Sequence, residues 1–441
     1  MTLVALVIAG GWPAQTWLVL TCLIALIWLL RHRDITRGKR EPILSESDAR
    51  APAAQSLPRL SVLVAAKDEE ANIGACVAGL LRQDHPDFEL IAINDRSHDA
   101  TGAILDELAA RDRRLHAIHV RELPAGWFGK NNAMRTGIAQ AAGDWLCFTD
   151  ADCQFDSPRL LTAAARFAQR ERVDFLSVLP RLEAGTFWEK VVQPVAGGIM
   201  VYWTPPQKVN SPASPVAYAN GAFMLMSRDA YERIGGHDAV RATLNEDMHM
   251  ARRAKQVGVR LRVIRGGDLF RVRMYTGLPQ IWRGWSRIFY GCFGTPLKLL
   301  ASVGIICLAS LSPWVTLAAT LAAGATGSPL MFAALAAIVA QQSVLWRFYP
   351  ISGLAAPWAM TYPLGALLCL GMTINALAKV GGATTTTWRG TTYRGGSTPD
   401  SAPAAQPTDP PRPRAVEKVA ATTTAGMRRA PAAEVETREA V

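Results

Sequence analysis

The sequence predicts an α/β unit built on a mostly parallel sheet and flanked by membrane-spanning helices. Three observations lead to this class. Between residues 58 and 278, short β-branched runs that end in polar residues alternate with helical stretches, the pattern of a parallel sheet covered on both faces. Long charge-free runs lie on either side of that region. Only 19% of the 441 residues are charged and 50% are hydrophobic, whereas soluble domains carry roughly 25% charge.

The first element is an anchor over residues 1–30. Met1 to Leu30 contains no Asp, Glu, Lys or Arg. A helix needs about 20 apolar residues to cross the hydrocarbon core, so one span fits, near Trp12–Leu30. RHRDITRGKR follows at 31–40 and favours a cytoplasmic position for what comes next. A cleaved signal peptide fits poorly, because the positive charge lies after the apolar run. Residues 31–57 form a basic juxtamembrane linker, polar and Ala/Pro-rich from 41 onward.

Within 58–278, RLSVLVAAK (59–67) and ELIAINDRS (89–97) read as strands, with the helical stretch EEANIGACVAGLLRQ between them. DWLCFTDADC (144–153) is another strand running into acidic residues. Ligands of such sheets sit beyond the carboxyl ends of the strands. Asp68, Asp95, Asp150 and Asp152 all occupy that kind of position.

Residues 279–298 form an aromatic and basic segment suited to a membrane interface. The region 299–378 then holds two to three spans. Leu299–Trp346 is charge-free and is broken by the turn GATGSP (324–329), and Phe348–Ala378 is charge-free again. The tail 379–441 is polar, rich in Ala, Pro and Thr, and expected to be largely disordered. The side of the tail stays open. Counting spans from an outside N-terminus puts it outside, whereas Lys379, Arg389 and Arg394 favour the inside. A re-entrant or interfacial run would reconcile the two.

Seven cysteines without repeated spacing or a C-x-x-C pair argue against a disulfide framework or zinc site. His116 and His119 lack further ligands nearby. The net charge of +11 suits nucleic acid, an anionic membrane surface or phosphorylated small molecules. Basic and acidic residues are interleaved and no nucleic-acid module is present, so nucleic acid is not expected.

The chemistry-bearing signals fall in four places. Asp150-Ala151-Asp152 ends an apolar strand. Two carboxylates flanking one small residue suit Mg²⁺ or Mn²⁺ held together with substrate phosphates, although turns also favour aspartate. Upstream, Gly126 and Gly129 precede Lys130, which either reaches a phosphate or is an ordinary surface lysine. The spacing is not that of an ATP-binding P-loop. Glu246 and Asp247 open a helical segment, where they serve either as a general base or as charges favoured by the helix dipole. LPQIWRGWSRIFYG (278–291) mixes aromatic rings with arginines, and Arg283 could meet a diphosphate. FWEKVVQPVAGGIMVYW (187–203) either lies on the membrane or lines an acceptor groove.

In combination, AAKDEE, INDRS, GK, TDAD, NED and QIWRGW resemble family 2 glycosyltransferases of the GT-A type, a Rossmann-like fold, over residues 59 to about 295. The flanking spans resemble the membrane-bound branch. LPAGWFGKNNA with FWE and WRG is similar to the hopanoid-associated and carotenoid-type enzymes of bacteria. The resemblance implies a nucleotide pocket at Asp68 and Glu69, a base or ribose contact at Asp95, and Lys130 beside the nucleotide. It implies a metal and diphosphate motif at Asp150 and Asp152, with Asp152 the more direct ligand of a divalent Mg or Mn ion. Asp247 matches the base of an inverting transfer, supported by Glu246. Gln280 and Arg283 fit the Q-x-x-R-W signature, but Gly284 stands where Trp is expected and Trp285 follows. That departure favours single-sugar transfer over a processive synthase.

The expectation is therefore an integral membrane enzyme of the bacterial inner membrane with a cytoplasmic catalytic domain. It would move a sugar from a nucleotide-diphosphate sugar to a lipid acceptor. A short polysaccharide synthase and a non-catalytic membrane scaffold or transport component are the alternatives.

Overall fold

The computed structural model describes residues 11–50, 56–293 and 295–380, with the strand pair Thr386–Trp388 and Thr391–Tyr393 beyond them. Residues 1–10 of the expected anchor and most of the expected disordered tail lie outside the described residues.

The α/β unit holds a seven-stranded sheet. Its strands are β1 (Leu60–Ala66), β2 (Phe88–Asp95), β3 (Leu115–Val120), β4 (Trp145–Asp150), β6 (Phe175–Leu179), β8 (Phe223–Ser227) and β9 (Leu261–Arg265). Their order is β3-β2-β1-β4-β8-β6-β9. β1 to β4 run parallel, as do β6 and β9, while β8 is antiparallel to both its neighbours. Three short strands, β5 (Cys153–Phe155), β7 (Arg181–Leu182) and β10 (Phe270–Val272), form a second sheet. The stretch expected as one strand over 144–153 is thus two, broken by a turn at Ala151 and Asp152.

Both faces of the large sheet are covered, as the continuous apolar strands require. On one face lie α2 (Ile73–Leu81) and α5 (Leu160–Arg170), whose Ile73, Val77, Leu80, Leu161 and Phe167 are buried. On the other lie α4 (Gly129–Ile138) and α7 (Glu246–Gln256), contributing Met134, Met250 and Ala254. Between α2 and α4 in the chain comes α3 (Thr101–Ala109), which starts just past β2. Part of the expected linker docks on this unit. Leu44 is buried in the core and Ile43 bridges to Arg265.

Among the described residues, four helices are long and apolar enough to cross a membrane. They are α1 (Gly11–Arg40), α9 (Pro296–Ala322, with a π segment at Ile306–Leu311), and two segments that contain α10 (Pro329–Phe348) and α11 (Tyr362–Val380). The basic cluster 31–40 continues α1 rather than ending it. Between the sheet and these helices lie α6 (Phe187–Trp203) and α8 (Leu278–Phe293). Val191, Val195, Ile281, Trp285 and Phe289 of these two pack with Ala366, Cys369 and Met372 of α11 in a third core.

Polar contacts fix the levels of these helices. At the basic end of α1, Arg347 of α10 donates to His32 Nδ1 at 2.7 Å and to Thr36 at 3.0 Å. Just beyond that end, Asn210 of the α/β unit donates to Glu41 at 3.2 Å. The end of α10 therefore lies on the side of the α/β unit. The C-terminal half of α11 lies there too. Asn375 donates to Ser286 of α8 at 3.3 Å, and Gly371 lies against Trp282. α8 is itself tied to the α/β unit by Arg252, which donates to the Cys292 carbonyl at 2.6 Å.

Candidate active site

The register of β2, β1 and β4 brings the expected carboxylates to one edge. Ala65 stands opposite Asp150 on one side, and Ala66 opposite Asn94 on the other. Asp95, Asp68 and Asp152 follow directly beyond these pairs. The strand order reverses between β1 and β4, where open α/β sheets form their ligand crevice.

Lys130 joins this edge to α7. It is the second residue of α4, and its Nζ lies 2.6 Å from Asp150 Oδ1 and 2.6 Å from Glu246 Oε1. Burial works against its charge, but the two carboxylates outweigh burial and hold the ammonium well above its usual range. Two motifs more than 90 residues apart thus meet on one cation.

Asp247 is aimed by two backbone amides. Gly221 donates to its Oδ2 at 3.0 Å and Met248 to its Oδ1 at 2.7 Å. Burial, then the Glu246 charge, push its carboxyl up to about 7, against the pull of Lys130. Asp152 is likewise pushed up to about 7 by burial, Asp150 and Glu69. A carboxyl raised to that range suits a group that takes up a proton near neutrality.

The AAKDEE loop is laced to the segment after Asp95. The Asp68 amide donates to Ser97 Oγ at 3.0 Å, and Asp68 Oδ1 accepts from the His98 amide at 2.8 Å. The Glu69 amide donates to Thr101 Oγ1 at 2.8 Å, and its carboxylate accepts from Asn72 at 2.8 Å. Asp95 accepts from Arg96 Nε at 2.8 Å and from one Nη at 3.0 Å. Asp68 and Arg96 sit at φ of +52° and +56°, strained positions that often mark functional loops. A side chain at Gly129 would collide with Asp95 and Arg96, which gives the glycine before Lys130 a steric reason.

Gln280 and Arg283 are exposed on α8. Gln280 accepts from the Thr276 amide and hydroxyl, both at 3.0 Å. The missing Trp at position 284 has a local cause. Any Cβ there would overlap the Tyr275 ring and hydroxyl. Sequence reasoning missed Tyr275 and Gly221. A Cβ on Gly221 would stand 3.1 Å from Lys130 Nζ and 3.6 Å from both Asp150 Oδ2 and Glu246 Oε1, so this glycine lies over the centre of the cluster. The sequence signal was the Asn220-Gly221 pair entering an apolar strand, which reads first as a turn.

No group of three or more His, Cys, Asp or Glu arranged to hold a metal by itself occurs among the described residues. Magnesium commonly takes only one or two carboxylates and completes its shell with water and phosphate oxygens. Asp150 and Asp152 supply that oxygen-only set. The upward push on Asp152 from its neighbours marks an excess of negative charge that a divalent cation would relieve. The residues fit such an ion.

Residues 61–235 match the family described as Glycosyl transferase family 2. Over these residues the chain is similar to family 2 glycosyltransferases. The match takes in the strand-end carboxylates, Lys130 and Gly221, and stops short of Glu246 and Asp247. The chain is 30% identical over 199 residues to the beta-monoglucosyldiacylglycerol synthase of Trichormus variabilis, covering 44% of this chain and 41% of that protein. It is 24% identical over 253 residues to the 4,4'-diaponeurosporenoate glycosyltransferase of Staphylococcus aureus, covering 55% of this chain and 64% of the relative. The chain thus spans less than two thirds of these relatives' length. Among solved structures it is similar to a mannosyltransferase from Pyrobaculum calidifontis in complex with GDP-Man and Mn²⁺, with 20% identity, a TM-score of 0.47, and coverage of 83% of this chain and 99% of that one.

Proposed function

We propose that the protein is an integral-membrane, inverting glycosyltransferase that moves one sugar from a nucleotide-diphosphate sugar to a membrane lipid. The observation that carries this reading is the double contact of Lys130, 2.6 Å from Asp150 and from Glu246. It joins a cation-binding strand end to a helix start that bears a candidate base.

Asp68, Glu69 and Asp95 border the nucleotide pocket. Asp150 and Asp152 would hold a Mg or Mn ion, whose charge would stabilise the leaving diphosphate. Asp247 accepts the proton of the acceptor hydroxyl. The acceptor oxygen then bonds to the anomeric carbon from the face opposite the diphosphate. The anomeric carbon–oxygen bond breaks, and the nucleoside diphosphate leaves with the electron pair. One displacement inverts the anomeric centre. Glu246, fixed by Lys130, sets the start of α7 and keeps Asp247 on its two amide donors.

A lipid acceptor is supported by the two relatives named for lipid and carotenoid substrates and by the interface helices beside the site. α6 exposes Phe187, Val201 and Tyr202, a surface suited to the headgroup level of a bilayer. The basic end of α1 supports a position of the domain on the cytoplasmic face of the bacterial inner membrane. A non-catalytic scaffold would not need a buried carboxylate aimed by two amides.

The test is a screen of nucleotide sugars against membrane lipid extracts with Mg²⁺ or Mn²⁺, read by mass spectrometry. A lipid heavier by one sugar, with inverted anomeric configuration, is expected. A polysaccharide ladder would favour a synthase, and no metal-dependent product from any donor would overturn the reading.

A further inference from the structure

We propose that Arg287, one helical turn beyond the motif arginine Arg283, is a diphosphate-binding residue of this site, with the Tyr275 hydroxyl as its companion donor. The inference rests on the glycosyl-transfer reading above and names a residue that the family signature does not.

The spacing of α8 carries the first part. Gln280, Gly284, Arg287 and Gly291 recur at i, i+4, i+7 and i+11, which puts them on one helical face. Two of the four show where that face looks. A Cβ on Gly284 would collide with the Tyr275 hydroxyl. A Cβ on Gly291 would stand 2.8 Å from Asn245 Cγ, and Asn245 immediately precedes Glu246 and Asp247. Arg287 falls on this face between these two contacts. The two glycines let α8 approach Tyr275 and Asn245 closely. Arg283 lies at the edge of the same face and is exposed, whereas Arg287 is half-buried.

Tyr275 carries the second part. Its hydroxyl oxygen is buried and has no hydrogen-bond partner. A buried hydroxyl normally finds one, so a ligand oxygen is the missing acceptor. Burial raises the phenol's pKa. Arg287 pulls it back down and Asp152 pushes it further up, which puts both charges in reach of this ring. An arginine fork beside a phenol donor that also feels the Asp152 charge suits the oxygens of a diphosphate.

The test uses the full chain in detergent micelles with Mg²⁺. Binding of UDP, UMP, GDP and GMP is measured by calorimetry for wild type, Arg287→Gln, Arg287→Lys and Arg283→Gln. We expect wild type to bind one diphosphate more tightly than its monophosphate. Arg287→Gln should weaken that diphosphate about 10-fold or more, the loss of one charged hydrogen-bonding partner, and leave the monophosphate unchanged. Arg287→Lys should fall between, and Arg283→Gln should lose less. Diphosphate affinity that survives in Arg287→Gln overturns the proposal while the glycosyl-transfer reading stands. Equal loss of both nucleotides assigns Arg287 a structural role and also overturns it. Wild type that binds none of the four overturns both.

Discussion

The backbone amide of Gly221 donates to Asp247 Oδ2 at 3.0 Å. This bond couples β8 to the start of α7 and holds the candidate base at the edge of the Lys130 cluster. It also places a residue without a side chain where any side chain would intrude.

Gly221→Val should therefore remove activity without unfolding the protein. The added carbons would point at Lys130 Nζ, 3.1 Å from a Cβ, and at Asp150 and Glu246, 3.6 Å away. Displacing the base by about 1 Å costs on the order of 100-fold in rate. Turnover by the purified variant, alongside its circular dichroism, checks this. Activity within a few-fold of wild type would show that the space above the cluster is not used.

Lys130→Met should cost both stability and the position of the pH profile. It leaves Asp150 and Glu246 without their shared cation. Breaking a buried pair costs about 3–5 kcal/mol. Asp150 is 36% exposed, so about 2–3 kcal/mol is expected here after solvent screening. Lys130 also pulls the Asp247 carboxyl down, so residual activity should titrate at higher pH than in wild type. Denaturant titration and a pH–rate profile measure the two effects separately.

The pH dependence of wild type follows from Asp247. Its carboxyl is raised to about 7 in the folded protein, from an ordinary value of 3.8. The base form is needed for transfer, so kcat/KM should rise with pH to a plateau, with a midpoint near 7. Stability should move the other way. A raised carboxyl favours the folded state while protonated, and this contribution is lost as pH rises from about 4 through 7. A profile flat from pH 5.5 to 8.5 would remove Asp247 as the base.

Much of the site could be read from the chain because β1, β2 and β4 are largely apolar runs. Each ends where its polarity changes, so Asp68, Asp95 and Asp150 fall at strand ends by counting alone. Lys130 was legible only as a residue near phosphate. Its contacts to Asp150 and Glu246 depend on how α4 and α7 dock on the same sheet face. Gly221 was hidden because β8 enters the sheet antiparallel, between β4 and β6, and no local signal announces that insertion. Gly284 reads as a defect in a signature from sequence alone, because Tyr275, nine residues earlier, occupies the space it leaves only in the fold. Helix α11 has the length and hydropathy of a span, and only its contacts with Trp282 and Ser286 reveal its course.

That course makes a topological prediction. The chain from Arg347 to the end of α11 starts and finishes beside elements tied to the α/β unit, so it should not cross the membrane. Ala378→Cys should be labelled from the same side as Glu122→Cys on the α/β unit. Thr326→Cys, in the turn between α9 and α10, should be labelled from the opposite side. Cys22 is the exposed native cysteine, so a Cys22→Ala background suits the experiment. Labelling of positions 378 and 326 from one side would contradict this arrangement.

Asp247 is thus proposed as the base of a glycosyl transfer organised by Lys130. Asp247→Asn keeps the size of the side chain and removes its capacity to take a proton. The decisive measurement is single-turnover transfer to lipid by this variant, paired with its affinity for the donor nucleotide in Mn²⁺. Wild-type donor affinity and a rate at least about 100-fold lower, the scale of a lost general base, are expected. Transfer at the wild-type rate with the donor bound would contradict that role.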